Sequence, residues 1–112
     1  MVAKNLWGTL ETLILEVLSR GANYGYQIAQ TIVAESGGYF DLKEGSLYPA
    51  LHRLERQGLL TAFWEETREG RRRKFYRLTP AGQGELSERR REWSRFSAGV
   101  NGILRGADHV MG

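Results

Sequence analysis

The chain has 112 residues, a length that suits one domain with a single core. With no cysteine it offers no disulfide, thiolate zinc site or thiol redox switch. The net charge is only +3, but a pI of about 9.5 and the crowding of Arg68, Arg71, Arg72, Arg73, Lys74 and Arg77 around a lone Glu69 form an electrostatic footprint for a polyanion.

Met1 to Trp7 lacks the apolar run of a secretory signal, and no stretch approaches membrane-spanning length, so a soluble cytoplasmic protein without a membrane partner is expected. Leu10, Leu13, Ile14, Val17 and Leu18 then recur at helical spacing, with Thr9 as a cap and Gly21 as the stop. Asn23 can cap a second helix buried through Ile28, Ala29, Ile32 and Val33 and broken at Gly37 and Gly38. Gly25 near its start lowers helix propensity, which close approach to a neighbour or a phosphate would explain.

The third helix is two-faced. At roughly 100° per residue, Leu47, Ala50, Leu51 and Leu54 share one arc, and Ser46, Pro49, His52, Arg53 and Arg56 occupy the other. With Ser46 as the N-cap, Pro49 falls in the first turn, where its missing N–H is not needed, and Lys43 and Glu44 lie outside. Gly58 ends the helix. Leu60 to Thr67 and Arg73 to Leu78 are expected as strands joined by a turn at Glu69-Gly70. Tyr76 and Leu78 fall on one side of the second strand and Phe75 on the other, while Trp64 is assigned to the core.

Thr79-Pro80 supplies the cap and first residue of a last helix. Gly82 and Gly84 weaken its opening turns by roughly 1 kcal/mol each. Leu86, Trp93 and Val100, and in a second register Arg89, Phe96 and Ile103, repeat every seven residues like a short coiled-coil seam. The element order α-α-α-β-β-α predicts a mainly α chain with a small β-hairpin (α+β). It is a winged helix-turn-helix over residues 1–79, followed by a dimerisation helix at 80–106 and a frayed tail at 107–112.

In that architecture a helix enters the major groove of double-stranded DNA while a basic hairpin holds phosphates. The DNA-binding candidates are Ser46, Tyr48, His52, Arg53 and Arg56 on the helix and Arg68, Arg71, Arg72, Arg73 and Lys74 on the wing. Tyr48, about 100° from Leu47, equally suits the edge of the core. Ser46 has no general base near it in sequence, and His52 has only His109 as a second histidine. Without a carboxylate pair, phosphate loop or metal-ligand spacing, no enzyme, catalytic residue, metal or cofactor is expected. The alternative is a winged-helix module for protein–protein interaction. The mostly polar helix face and cationic wing weigh against it, because protein interfaces deplete lysine at their centres and favour apolar anchors.

Trp93, Phe96, Val100, Ile103 and Leu104 form an apolar stripe that a lone helix could not hide, at roughly 25 cal/mol per Å² left in water. Together with Leu6 and Trp7 it predicts a homodimer. Twofold symmetry then sets two recognition helices about 34 Å apart, one DNA turn, on an inverted repeat. Gly99 and Gly102 leave the seam imperfect. Trp93 and Phe96 therefore read either as dimer packing or as the wall of a slot for a planar aromatic effector.

Four segments resemble the PadR family of bacterial transcription regulators: Gly8-Thr9-Leu10, Tyr24-Gly25-Tyr26-Gln27-Ile28, Glu44 to Gly58, and Gly70 through the cationic run to Thr79. The similarity spans roughly Leu6 to Leu104, and the run from Gly45 to Glu55 is its most specific part. It implies a homodimeric repressor on an inverted repeat, released by an effector, in the subgroup with a short C-terminal region. It also implies that the last helix and the segment before the first helix build the dimer, with flat aromatic molecules accepted beside a tryptophan placed like Trp93. Gln27 stands where an acidic residue is frequent. Phe75 replaces a usual tyrosine and so removes a hydroxyl that could touch DNA.

Overall fold

In the computed structural model, which describes the backbone of residues 2–111 and the side chains of residues 8–106, the chain alternates helices with one small sheet. Helix α1 (Val2–Ser19) buries Ile14, Leu15, Val17 and Leu18. It begins well before Thr9, which is therefore interior and not the cap expected of it. The stop is as expected, with the Gly21 N–H donating to the Leu18 carbonyl at 3.1 Å.

A short strand that the sequence did not announce comes next, β1 (Asn23–Tyr24). Asn23, expected to cap the second helix, instead pairs with Tyr76 and accepts the Tyr24 N–H on its own side-chain oxygen. Helix α2 (Gly25–Glu35) starts one step later, with Tyr24 as its cap residue. Gly37 and Gly38 close it with φ of 63° and 82°, the left-handed conformation that glycine takes without strain.

Helix α3 (Glu44–Arg56) carries its apolar arc into the centre of the core, where Leu47, Ala50, Leu51 and Leu54 are fully buried. Its start corrects the expected capping. Lys43 is the cap residue, and the Ser46 N–H donates to the Lys43 carbonyl at 2.9 Å, so Ser46 lies inside the first turn. Glu44 then sits at the helix N-terminus, where a carboxylate is favoured by the unpaired N–H groups. Pro49 falls one turn further in than expected and gives up a hydrogen bond to the Gly45 carbonyl. Both residues are exposed, so solvent can take over that carbonyl.

Strands β2 (Leu60–Glu66) and β3 (Arg72–Leu78) form the hairpin, closed by Thr67 to Arg71 with Gly70 at φ 80°. The sheet is antiparallel in the order β1-β3-β2, with Leu60 opposite Leu78 and Trp64 opposite Lys74. Leu60, Ala62, Tyr76 and Leu78 share its inner face and pack on the core. The Tyr76 hydroxyl is buried without a hydrogen-bond partner among the described residues, and burial pushes its pKa up to about 12.

Helix α4 (Pro80–Met111) opens as the sequence predicts. The Thr79 hydroxyl accepts the Gly82 N–H at 3.0 Å and donates to the Gly58 carbonyl at 2.7 Å, binding cap and preceding loop together. Among the described residues its first part packs on α1 and β3, through Leu86, Arg89 and Arg90. The radius of gyration is 16.7 Å, against about 13 Å for a compact chain of this length, because the remaining turns project from the body. The expected frayed tail, 107–112, lies outside the described side chains, as do Leu6 and Trp7.

Gly82 has a structural reason that propensity hides. A Cβ there would lie 2.2 Å from the Leu59 carbonyl oxygen and 2.9 Å from Leu78 Cδ2, whereas one at Gly84 meets nothing within 4 Å. Gly82→Ala is therefore expected to lose at least about 1 to 3 kcal/mol by overpacking, and Gly84→Ala to gain about 1 kcal/mol of helix propensity. Urea unfolding of the two variants checks both signs.

Candidate nucleic-acid interface

The burial of one α3 arc leaves the other to solvent. Ser46, Tyr48, Pro49, His52 and Arg56 are exposed on it. Tyr48, whose placement the sequence left open, is 38% exposed and donates its hydroxyl to Glu44 Oε2 at 2.8 Å. That hydrogen bond, helped by burial, raises the phenol above its ordinary value, so Tyr48 remains a donor at neutral pH. Glu44 in turn packs against Gly25, where a Cβ would meet its Cγ at 3.4 Å. The close approach invoked for Gly25 is thus to a neighbouring side chain.

Arg53 departs from its expected place among the readers. Its Nε donates to Glu11 Oε2 of α1 at 2.9 Å. The side chain stays 34% exposed while that carboxylate holds its Nε.

On the wing, the pleat divides the cations between two faces. Arg73 and Arg77 lie on the outer one, over the rings of Tyr24 at 5.1 Å and Phe63 at 4.5 Å, and these rings continue through Phe75 as one aromatic cluster. Arg73 also approaches Glu44 at 4.0 Å. Arg72 and Lys74 lie on the inner face, which runs past the end of the core toward α3. Arg68 and Arg71 are exposed at the hairpin end.

Trp64 corrects the assignment to the core. Alternation does put it on the inner face of β2, opposite Lys74, but by that point the strand has passed the core and the indole is 58% exposed beneath Arg72. With Tyr48, His52, Arg72 and Lys74 it lines a cleft of about 260 Å³ between α3 and the wing. Among the described residues no group of acidic and histidine side chains is placed to hold a metal, and no helix is long and apolar enough to cross a membrane.

The family profile described as "Transcriptional regulator PadR-like family" matches residues 14–88, from the first core helix through the wing and onto α4. The chain belongs to the PadR-like family of transcriptional regulators. PadR-like proteins are regulators and not enzymes, in agreement with the absence of a catalytic constellation expected from the sequence. A curated transcriptional regulator of Mycobacterium tuberculosis is 41% identical over 73 residues, 65% of this chain and 64% of that protein. The crystal structure of a PadR-like transcriptional regulator from Bacillus cereus superposes with a TM-score of 0.80 at 30% identity, covering 91% of this chain and 97% of that one. The structure of Bacillus subtilis PadR in complex with operator DNA matches with a TM-score of 0.62 at 30% identity, over 70% of this chain and 45% of that longer one.

Glu11, Glu44 and Trp64 are the residues of this PadR-like surface that sequence reasoning missed. For Trp64 a signal existed: its partner in the hairpin register is Lys74, a residue no core strand would place beside a buried indole. Trp64→Ala is expected to change stability by no more than about 1 kcal/mol, as for surface sites, where a core aromatic would lose about 3 to 5 kcal/mol. Denaturant titration distinguishes the two.

Proposed function

We propose that this PadR-like chain acts as a homodimeric, effector-responsive repressor that binds an inverted repeat in double-stranded DNA and works in the cytoplasm. The observation that carries the reading is the juxtaposition of the outward arc of α3 with the cationic inner face of the wing. Together they line one cleft of about 260 Å³. Ser46, Tyr48, His52 and Arg56 would face base edges, while Arg68, Arg71, Arg72 and Lys74 would hold phosphates. Support comes also from Bacillus subtilis PadR, which is named a negative transcriptional regulator and has a structure with operator DNA. A protein-binding winged helix is disfavoured by the same charge, since the cleft offers cations where a protein partner would want apolar anchors.

The dimer follows from α4. Leu86 and Arg89, the first members of the two heptad registers, turn inward onto the body, and the stripe proper begins at Trp93. Exposure along the stripe runs from 40% at Val100 to 79% at Ile103, with Trp93, Phe96 and Leu104 between. Packing against a second copy would remove this surface from water. Trp93 and Phe96 are already stacked, with centroids 5.6 Å apart, and a Cβ at Gly99 or Gly102 would meet nothing within 4 Å. A slot for a planar aromatic effector between the two α4 helices is consistent with that geometry.

Three measurements test this reading. Arg71→Ala with Arg72→Ala is expected to flatten the dependence of log K on log salt for duplex DNA by about 0.9 for each phosphate that is no longer neutralised. Arg73→Ala should act less, because Glu44 and Tyr24 already hold that side chain; equal slopes in all variants would remove the wing from the interface. Sedimentation should show a wild-type dimer at micromolar concentration, and Trp93→Ala with Phe96→Ala should weaken it by about tenfold or more. Quenching of tryptophan emission by planar dyes, abolished in a Trp93→Phe variant that still dimerises, would mark the effector slot.

A further inference from the structure

Among the described residues Glu11 is the one buried charged side chain, at 9% exposure. It faces guanidinium groups from two other helices. Glu11 Oε2 accepts Arg53 Nε of α3 at 2.9 Å, and Oε1 accepts Arg89 Nη2 of α4 at 3.2 Å. Arg89 also donates Nε–H to Glu85 Oε2 at 2.8 Å and Nη1–H to the Gly8 carbonyl at 3.3 Å. Glu11 and Glu85 thus balance Arg53 and Arg89, and the quartet is neutral.

The position of Arg53 gives that neutrality a consequence. It stands on the same helix as His52 and Arg56, where an unpaired guanidinium would reach for phosphate. A carboxylate that already neutralises it removes one counterion-releasing contact from DNA of every sequence. Phosphate contacts raise affinity without discrimination, so withdrawing one lowers the background and leaves the base-facing residues to decide.

We propose that Glu11 is a positioning residue for DNA reading: its buried carboxylate turns Arg53 inward and keeps that cation off the phosphate backbone. The proposal rests on α3 being the recognition helix. Glu11 touches no DNA itself and acts through Arg53, while Arg89 and Glu85 hold its carboxylate in place from α4.

The test titrates wild type, Arg53→Gln, Glu11→Gln and the double variant against a random-sequence duplex and against a duplex enriched from a random pool, at several salt concentrations. Arg53→Gln should leave the salt slope at its wild-type value. Glu11→Gln should steepen it by about 0.9, one phosphate contact, tighten random-duplex binding and narrow the ratio between enriched and random DNA. The double variant should return to the wild-type slope. A slope flattened by about 0.9 in Arg53→Gln would show that Arg53 contacts phosphate in the wild type and would overturn the proposal. A folded Glu11→Gln protein with an unchanged slope would overturn it too, leaving the carboxylate as a clamp between helices. Should Glu11→Gln not fold, the Arg53→Gln slope alone decides. A wild type without salt-dependent DNA binding would instead remove the DNA reading and this proposal together.

Discussion

Helix α3 is dry on one side and open to solvent on the other, and the rest of the molecule is arranged around that division. Its four apolar residues sit at full burial between α1, α2 and the sheet. A helix so tightly wedged cannot rotate without exposing leucine, so the side chains on the opposite arc have a fixed direction. The hairpin is then anchored to the same core through Leu60 and Tyr76, which places the wing beside that arc. The direction of the exposed arc is a by-product of core packing.

Electrostatics are divided by location. On the body side, carboxylates of α1 face arginines of the neighbouring helices: Glu11 meets Arg53 and Arg89, and Glu16 meets Arg90 at 2.9 Å. On the wing side, Arg73 and Arg77 rest on aromatic rings, which screen them without cancelling their charge. The net charge of +3 is therefore a poor guide to the local field, because Arg68, Arg71, Arg72, Arg73, Lys74 and Arg77 outnumber Glu65, Glu66 and Glu69 on the wing. Glu44 lies between the two regions. It sits between Gly25, Tyr48 and Arg73 and joins the start of α3 to the wing.

Helix α4 belongs to two environments. Its cap and first turns are locked to the body by Thr79, by the close contact of Gly82 with Leu59, and by Leu86. Beyond Arg90 the described side chains contact little besides one another.

Much of the fold could be read from the residues, because periodicity and capping are local. The buried arc of α3, the Thr79-Pro80 start of α4, the hairpin and its turn at Gly70 all followed from spacing and from glycine or proline at the right positions. The family resemblance was legible as well, carried by the run from Gly45 to Glu55. Boundaries were less accessible. The true start of α3 depends on Glu44 meeting Tyr48 and Gly25, and β1 exists only because β3 offers it an edge; Gly25 and β3 both lie far off along the chain. For the site, pattern named the right elements but not the fate of each side chain. Arg53 and Arg56 are indistinguishable as exposed arginines on a helical wheel until α1 brings Glu11 beside one of them. Trp64 and Ala62 share a strand face until the core ends between them. Helical and strand periods fix which way a residue points, whereas whether it meets a carboxylate, a neighbouring leucine or water depends on contacts between elements far apart in the chain, and these exist only once the chain has folded.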